Sequence, residues 1–186
     1  MNNKPKEKIK IISERKFIIL CILTFGLYKI WWIYKSWRFF SYKDKLNVNS
    51  ATRTLFSFIF LIPLFQRIKK YSSQLQVNIR YSSVVLFILL FIADFLVSIS
   101  GSLWVISIFS FVFLLKPVNS LNRTILKDSN FEVSEAKKFN YRQIAIMGFG
   151  IICWIFLFIG WVQSFQNDSE YATYTISKEK FDEIMK

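Results

Sequence analysis

Five runs of apolar residues, separated by basic stretches, are the feature that most constrains this chain. They cover residues 17–34, 55–65, 81–99, 103–115 and 144–165. A water-soluble domain has no means of hiding runs like these, whereas about 20 consecutive apolar residues are what a helix needs to cross a bilayer. The pattern therefore predicts an all-α integral membrane protein.

Three of the blocks predict transmembrane helices. Residues 81–99 and 144–165 are long enough to span. Residues 103–115 are shorter, but the uncharged turn at 98–102 predicts that they form a helical hairpin with the preceding block. In the last block, small residues at Gly148, Gly150 and Gly160 would let a neighbouring helix approach closely.

The two N-terminal blocks fit a simple span less well. Residues 55–65 are too short for a hydrocarbon core of about 30 Å at about 1.5 Å per residue. Residues 17–34 contain Lys29 and are interrupted by the sequence Thr-Phe-Gly at 24–26. We expect both blocks to be re-entrant or interfacial helices that enter from the cytoplasmic side, with a bend at 24–26. The alternative is that both are short spanning helices.

The distribution of lysine and arginine predicts the orientation. Residues 1–80 and 116–142 together hold 22 basic and six acidic residues, whereas residues 166–186 hold three basic and five acidic ones. Basic loops stay in the cytoplasm. We expect a frayed basic cytoplasmic N-terminus over 1–16, a helical membrane domain over 17–165 and an extracytoplasmic tail over 166–186, in which Ser177 would cap a new helix.

Composition excludes several classes of function. The chain has no histidine, which rules out histidine-ligated metals and Ser-His-Asp catalysis. Its two cysteines lie in separate apolar blocks, and no carboxylate pair has a catalytic spacing. We therefore predict no catalytic residue, no metal and no cofactor, and a protein that is not an enzyme. The net charge of +13 is interpreted as a topology signal, so no nucleic-acid partner is expected.

Aromatic and basic residues interleave after the first block. Such rings favour the headgroup level of a bilayer, and lysine and arginine extend to lipid phosphates. Anionic lipid adds about 1 kcal/mol per nearby basic residue. The candidates for recognition of an anionic lipid headgroup are Trp31, Trp32, Tyr34, Lys35, Trp37, Arg38, Arg53, Arg67, Lys69 and Lys70. Plain interfacial anchoring is the alternative role for the same residues.

Asp94 is the only acidic residue inside an apolar block. An ionisable group at that depth is costly and is a candidate for function. It is expected to be hydrated from outside, to hydrogen-bond with Ser107 or Ser110 on the facing helix, or to carry a proton or cation. In the last case the protein would be a small transporter or channel component.

Two segments resemble a known family. Thr24, Gly26 and Tyr28 form a Thr-x-Gly-x-Tyr core, and an aromatic-basic stretch follows it. Residues 48–70 carry a second match, although 48–52 depart from the Pro-Phe entry usual there, and 115–125 carry a looser third one. The pattern is similar to an uncharacterised bacterial membrane-protein family, domain of unknown function 4234. The resemblance implies a polytopic protein of the bacterial cytoplasmic membrane and no known activity.

These observations predict a non-enzymatic accessory, scaffold or lipid-interacting module. Anionic membrane lipid is the expected partner. A second membrane protein or a second copy of the chain is a further expectation. The transporter or channel role of Asp94 is the alternative function.

Overall fold

The computed structural model describes residues 7–46, 48–95, 107–135 and 139–184, with the backbone alone for residues 7, 135 and 165–184. These residues are mostly helical, as the sequence predicts. In chain order the elements are β1 (Glu7–Ile11), α1 (Glu14–Leu23), α2 (Tyr28–Lys43), α3 (Ser50–Leu55), α4 (Ser57–Gln74), α5 (Ser83–Phe95), a 3₁₀ segment (Phe109–Leu114), α6 (Leu115–Lys127), β2 (Phe131–Glu135) and α7 (Tyr141–Ile184).

The first apolar block folds into two helices, as the bend predicted at 24–26 requires. Phe25 and Gly26 both have positive φ angles, of 53° and 80°, and this turns the chain back on itself. The ring of Phe17 in α1 lies 6.1 Å from that of Trp32 in α2. The two helices therefore form a hairpin, and we call residues 24–27 its tip.

The predicted frayed N-terminus is wrong for residues 7–11. They form β1, which pairs in parallel with β2, with Ile9 opposite Val133. Isoleucine and valine have high β-propensity. The pairing holds the start of the α1–α2 hairpin beside the end of α6, a long-range contact that local sequence does not reveal.

Helices α4, α5 and α6 complete the core. Ser72 of α4 hydrogen-bonds to Thr124 of α6, with 2.6 Å between their hydroxyl oxygens. The 3₁₀ segment packs along α5, whereas α6 packs along α4, and residues 96–106, which include the predicted turn, lie outside the described residues. The interior is filled by fully buried side chains, among them Phe17, Leu20, Trp37, Phe40, Leu64, Phe65, Ile68, Leu114 and Val118.

Helix α7 is the one described helix that is long and apolar enough to cross a membrane. The candidate span is Tyr141–Ser164, with a mean hydropathy of 2.4 and 6% of it buried against the protein. At about 1.5 Å per residue, its 24 residues are long enough for a hydrocarbon core. Helix α5 is apolar but only 13 residues long within the described part.

The predicted end of the last helix at residue 165 is wrong. Helix α7 continues without a break to Ile184, so Ser177 lies inside it and does not begin a new helix. Neither glycine nor proline occurs after Gly160, and no residue type in the tail forces the helix to stop. The tail is therefore a helical extension of the candidate span.

Candidate functional site

Two arginines lie over one buried tryptophan. The guanidinium carbon of Arg53 is 4.4 Å from the centre of the Trp37 ring, and that of Arg67 is 6.0 Å from it. The side chain of Arg67 also donates to Asp44 Oδ2 at 3.2 Å. We call Trp37, Asp44, Arg53 and Arg67 the arginine cluster.

The arginine cluster carries more positive than negative charge. Among the described residues no carboxylate pairs with Arg53, and Asp44 is shared between Arg67 and Lys43. Burial and the adjacent charge of Arg67 lower the pKa of Arg53. Trp37 is fully buried, and its Nε1 has no hydrogen-bond partner within the described structure. The cluster is thus an incompletely neutralised pair of cations on a rigid aromatic base.

A buried polar pair, Tyr71 and Asp128, lies beside Lys43, which shares Asp44 with the arginine cluster. Tyr71 donates to Asp128 Oδ2 at 2.6 Å, and the ammonium of Lys43 lies 4.3 Å from the Tyr71 ring centre. Burial by itself raises the pKa of Asp128, but hydrogen bonds from Tyr71 and Asn130, with the charge of Lys43, more than offset it and the pKa lies below its ordinary value. Although Asp128 belongs to a polar, mixed-charge stretch of the sequence, it is buried at the end of α6.

The ten lipid-headgroup candidates separate into groups. Trp37, Arg53 and Arg67 meet in the arginine cluster. Trp31 is exposed on another part of α2, with the Tyr34 ring 5.4 Å away and the Lys35 ammonium 5.4 Å from its ring centre. The remaining candidates are Trp32, which is buried in the core, and the exposed Arg38, Lys69 and Lys70.

Trp32 and Trp37 lie inside the protein and not on the surface, where the aromatic-basic pattern would place a ring in contact with lipid. Their exposed fractions are 5% and 0%, because both face inward from α2. Trp32 packs against Phe17 and Trp37 against Phe60. The burial of these two rings is set by the packing of α2 against its neighbours, which the aromatic-basic pattern does not encode.

Asp94 forms an ion pair at the tip of the α1–α2 hairpin. Lys29 Nζ lies 2.5 Å from Asp94 Oδ1 and donates to Ser110 Oγ at 2.6 Å. Asp94 and Ser110 are thus brought together, as the sequence predicts, but through Lys29 rather than directly. Lys29 is 14% and Asp94 37% exposed. Ser107 begins the same helical segment as Ser110, and it too has an interaction partner.

The tip itself is held by Thr24, Gly26 and Tyr28. The Thr24 hydroxyl donates to the Leu20 carbonyl at 2.7 Å and accepts from the Tyr28 amide at 3.0 Å, so it links the two helices. A side chain at Gly26 would lie 3.4 Å from the Ile108 carbonyl oxygen. These contacts give the Thr-x-Gly-x-Tyr core a structural role.

Helix α7 docks onto the tip along a narrow strip. Trp154 Nε1 donates to the Ile22 carbonyl at 3.1 Å, and the Trp154 and Phe25 rings stack 4.8 Å apart. Gly150 approaches Leu23 so closely that a Cβ atom there would lie 2.0 Å from the Leu23 carbonyl oxygen. The close approach predicted for the glycines is confirmed at Gly150, whereas Gly148 and Gly160 meet nothing within 4 Å.

Sequence reasoning noted Lys29 but missed its role as the partner of Asp94. It also missed the Tyr71–Asp128 pair. A basic residue in one apolar block and an acidic residue in another are together a signal for pairing, because an isolated charge at that depth is costly. No comparable signal exists for Tyr71, since tyrosine is common at helix surfaces.

The described polar residues offer chemistry for binding. Among them no group of three or more cysteine, aspartate or glutamate side chains could hold a metal ion. The described polar groups instead supply hydrogen-bond donors, fixed cations and one internal ion pair. This arrangement is suited to holding an anion and to fixing helices against each other.

Comparison with known proteins adds no relative. No protein-family model, no curated protein and no solved structure matches the chain. The resemblance carried by the Thr-x-Gly-x-Tyr core therefore stays a prediction.

Proposed function

We propose that this chain is a non-enzymatic membrane module that binds an anionic lipid headgroup at the arginine cluster. The observation that carries the proposal is the pair of guanidinium groups over Trp37, with only Asp44 to balance them. Guanidinium groups bind phosphate through paired hydrogen bonds. A phosphodiester would neutralise the excess positive charge and would accept hydrogen bonds from both guanidinium groups.

The surroundings of Arg53 favour a lipid over a soluble anion. The apolar residues that follow Arg53 at the junction of α3 and α4 are exposed, among them Leu55 at 77%, Phe58 at 57% and Ile59 at 55%. Contiguous exposed apolar surface is typical of a membrane contact. Acyl chains would cover this surface while the headgroup meets the arginines.

The test compares lipid retention by two arginine pairs. The variant Arg53→Gln/Arg67→Gln should lose most co-purified phosphatidylglycerol or cardiolipin, measured by mass spectrometry of the protein in detergent. The control is Arg15→Gln/Arg142→Gln, which removes the same charge from exposed arginines elsewhere. Equal retention by both variants would leave only interfacial anchoring.

The membrane arrangement belongs to the same proposal. In it α7 spans, α5 and the 3₁₀ segment belong to a second hairpin in the membrane, and the α1–α2 hairpin re-enters from the cytoplasmic side. Support comes from the exposed apolar face of α5, which includes Val85, Phe91 and Phe95, and from the charge asymmetry. The N-terminus is then cytoplasmic and the tail outside.

Thiol labelling tests that orientation. In a chain whose native cysteines are replaced, a cysteine at Ser169 should react with an impermeant reagent in intact cells, and a cysteine at Ser129 should react only after lysis. Labelling at position 129 in intact cells would contradict the arrangement.

The transporter alternative rests on Asp94, and the ion pair with Lys29 gives it a sharp test. A carboxylate that only fixes the hairpin should tolerate exchange of the charges, so the double variant Lys29→Asp/Asp94→Lys should recover stability lost by either single change. A residue that carries a proton or cation should not recover a growth or transport phenotype by that exchange. Recovery of stability without phenotype would favour transport.

A further inference from the structure

A cavity of about 370 Å³ lies between the α4–α5 connector and α6. Its walls are residues 77–81 on one side and the polar face of α6 on the other. Its polar lining consists of three basic residues and three neutral ones, namely Arg80, Lys116, Arg123, Asn78, Asn119 and Ser120. We call this cavity the connector pocket. It shares no residue with the arginine cluster.

The connector pocket has an unbalanced positive charge. Within the described structure none of its three basic side chains forms an ion pair, and no acidic residue lines it. Glu14 contacts the lining from outside, where it accepts from Asn119 Nδ2 at 2.7 Å. Lys69 adds a fourth cation nearby, 6.0 Å from the ring of the lining residue Tyr81. Three exposed basic side chains that line one cavity, with no carboxylate among its lining residues, favour a multiply charged anion.

The connector is held in place before any ligand binds. Val77 donates its amide to the Ser72 carbonyl at 2.9 Å, and Lys127 donates to the Gln76 carbonyl at 3.3 Å. At the other end the Tyr81 hydroxyl donates to the Phe65 carbonyl at 3.5 Å, and the two rings meet edge to face. A preformed wall lowers the entropy cost of binding.

We propose that the connector pocket binds a phosphate-bearing ligand with two or more negative charges, separately from the arginine cluster. The cations neutralise the phosphate oxygens, and the amide and hydroxyl groups of Asn78, Asn119 and Ser120 complete their hydrogen bonding. The volume falls in the range of small-molecule sites, larger than a single phosphate ion needs. The ligand is either a soluble phosphate compound or the phosphomonoester headgroup of a lipid.

Pyrophosphate titration into the full chain in phosphatidylcholine nanodiscs tests the pocket. Calorimetry should detect binding to the wild type. The variant Arg80→Gln/Lys116→Gln/Arg123→Gln should raise the Kd by about tenfold or more, since each lost contact is a charge-assisted one. The matched control Lys10→Gln/Arg15→Gln/Arg142→Gln removes the same charge from exposed residues outside both sites and should keep the wild-type Kd. An equal loss in both triple variants, or none in the pocket variant, would overturn the proposal.

A second variant distinguishes a loss of binding from a loss of folding. Asn78 is exposed, and Asn78→Asp places a negative charge in the pocket with almost no change of shape. It should weaken pyrophosphate binding while the thermal midpoint stays that of the wild type. Unchanged affinity in Asn78→Asp would also overturn the proposal. Because the pocket variant keeps Arg53 and Arg67, failure of the connector pocket and failure of the lipid proposal give different results.

Competition between pyrophosphate and membrane lipid identifies the source of the phosphate. Nanodiscs that contain phosphatidic acid are compared with nanodiscs that contain phosphatidylglycerol at the same surface charge. Weaker pyrophosphate binding with phosphatidic acid alone would assign the pocket to a lipid phosphomonoester. Equal binding in both would assign it to a soluble phosphate compound.

Discussion

The hairpin tip and the arginine cluster differ in how their charged side chains are neutralised. At the tip, Lys29 and Asp94 neutralise each other, and Ser110 takes a further hydrogen bond from the ammonium. In the arginine cluster, two guanidinium groups share one tryptophan and one partial counter-charge. A neutral pair is complete without a ligand, whereas an excess of cations leaves positive charge that an anion could neutralise. This difference is the basis for the binding proposed at the arginine cluster and for the structural role expected of the tip.

The largest expected effect is at the contact between α7 and the tip. Gly150→Ala should destabilise the protein by about 2–3 kcal/mol, because the added Cβ would lie 2.0 Å from a backbone carbonyl oxygen and the two helices would have to shift apart. Thermal unfolding in detergent measures the change. Gly148→Ala is the matched control and should be neutral, since nothing lies within 4 Å of that position. Equal midpoints for the two variants would mean that α7 does not hold the tip.

Removing one charge from the tip pair should have the next largest effect. Lys29→Met leaves Asp94 without its partner in an apolar setting, and we expect a loss of about 1–3 kcal/mol, reduced because Asp94 is partly exposed. The double variant Lys29→Met/Asp94→Leu should recover part of it. A Lys29→Met protein as stable as the wild type would remove the structural role assigned to the tip.

Loss of the hydrogen bond between Tyr71 and Asp128 is expected to destabilise the protein somewhat less. Tyr71→Phe deletes the hydroxyl that donates to Asp128 and should cost about 1–2 kcal/mol, because a buried carboxylate loses one of its donors. Chemical unfolding in detergent checks the value. The ring of Phe40 lies 6.1 Å from that of Tyr71 and has no polar atom, so Phe40→Leu is a comparison for the effect of altered packing alone.

The same pair predicts a pH dependence. Because the pKa of Asp128 is lower in the fold than its ordinary value of 3.8, the stability it contributes is complete above pH 3.8 and is lost as the pH falls through the folded pKa. The wild-type thermal midpoint should drop over that acidic range more than that of Tyr71→Phe, in which the main donor is gone. Parallel curves for the two proteins would contradict this cause of the shift.

The smallest effect on stability is expected at Arg53, and this sharpens the comparison most directly. Arg53→Gln removes a cation that has no described acidic partner, so the change in unfolding free energy should stay within about 1 kcal/mol. Lipid retention should nevertheless fall. If Arg53→Gln destabilises the protein as much as Lys29→Met does, the arginine cluster is a structural site like the tip.

Much of the fold follows from residue order alone. The bend at 24–26 is a local property, because glycine permits a positive φ angle. The polar stretches between the apolar blocks and the unbroken helix of the candidate span are local as well, because the length of an apolar run sets the length of helix that it can form. The meeting of Asp94 with Ser110 was also predictable from their heights on facing helices. The structure added Lys29, which comes from a block far away in sequence.

Tertiary structure decided which residues are buried and which charges stay unpaired. Trp32 and Trp37 belong to one aromatic stretch with Trp31, yet two of them fill the core and one is exposed, since a helix has one face toward each neighbour. Residues 7–11 are polar enough to fray, but pairing with β2 orders them. The sequence by itself determined the apolar blocks, the bend and the excess of positive charge. Only long-range packing determined that Lys29 is neutralised and Arg53 is not, because an ion pair depends on distance in space and not on separation along the chain.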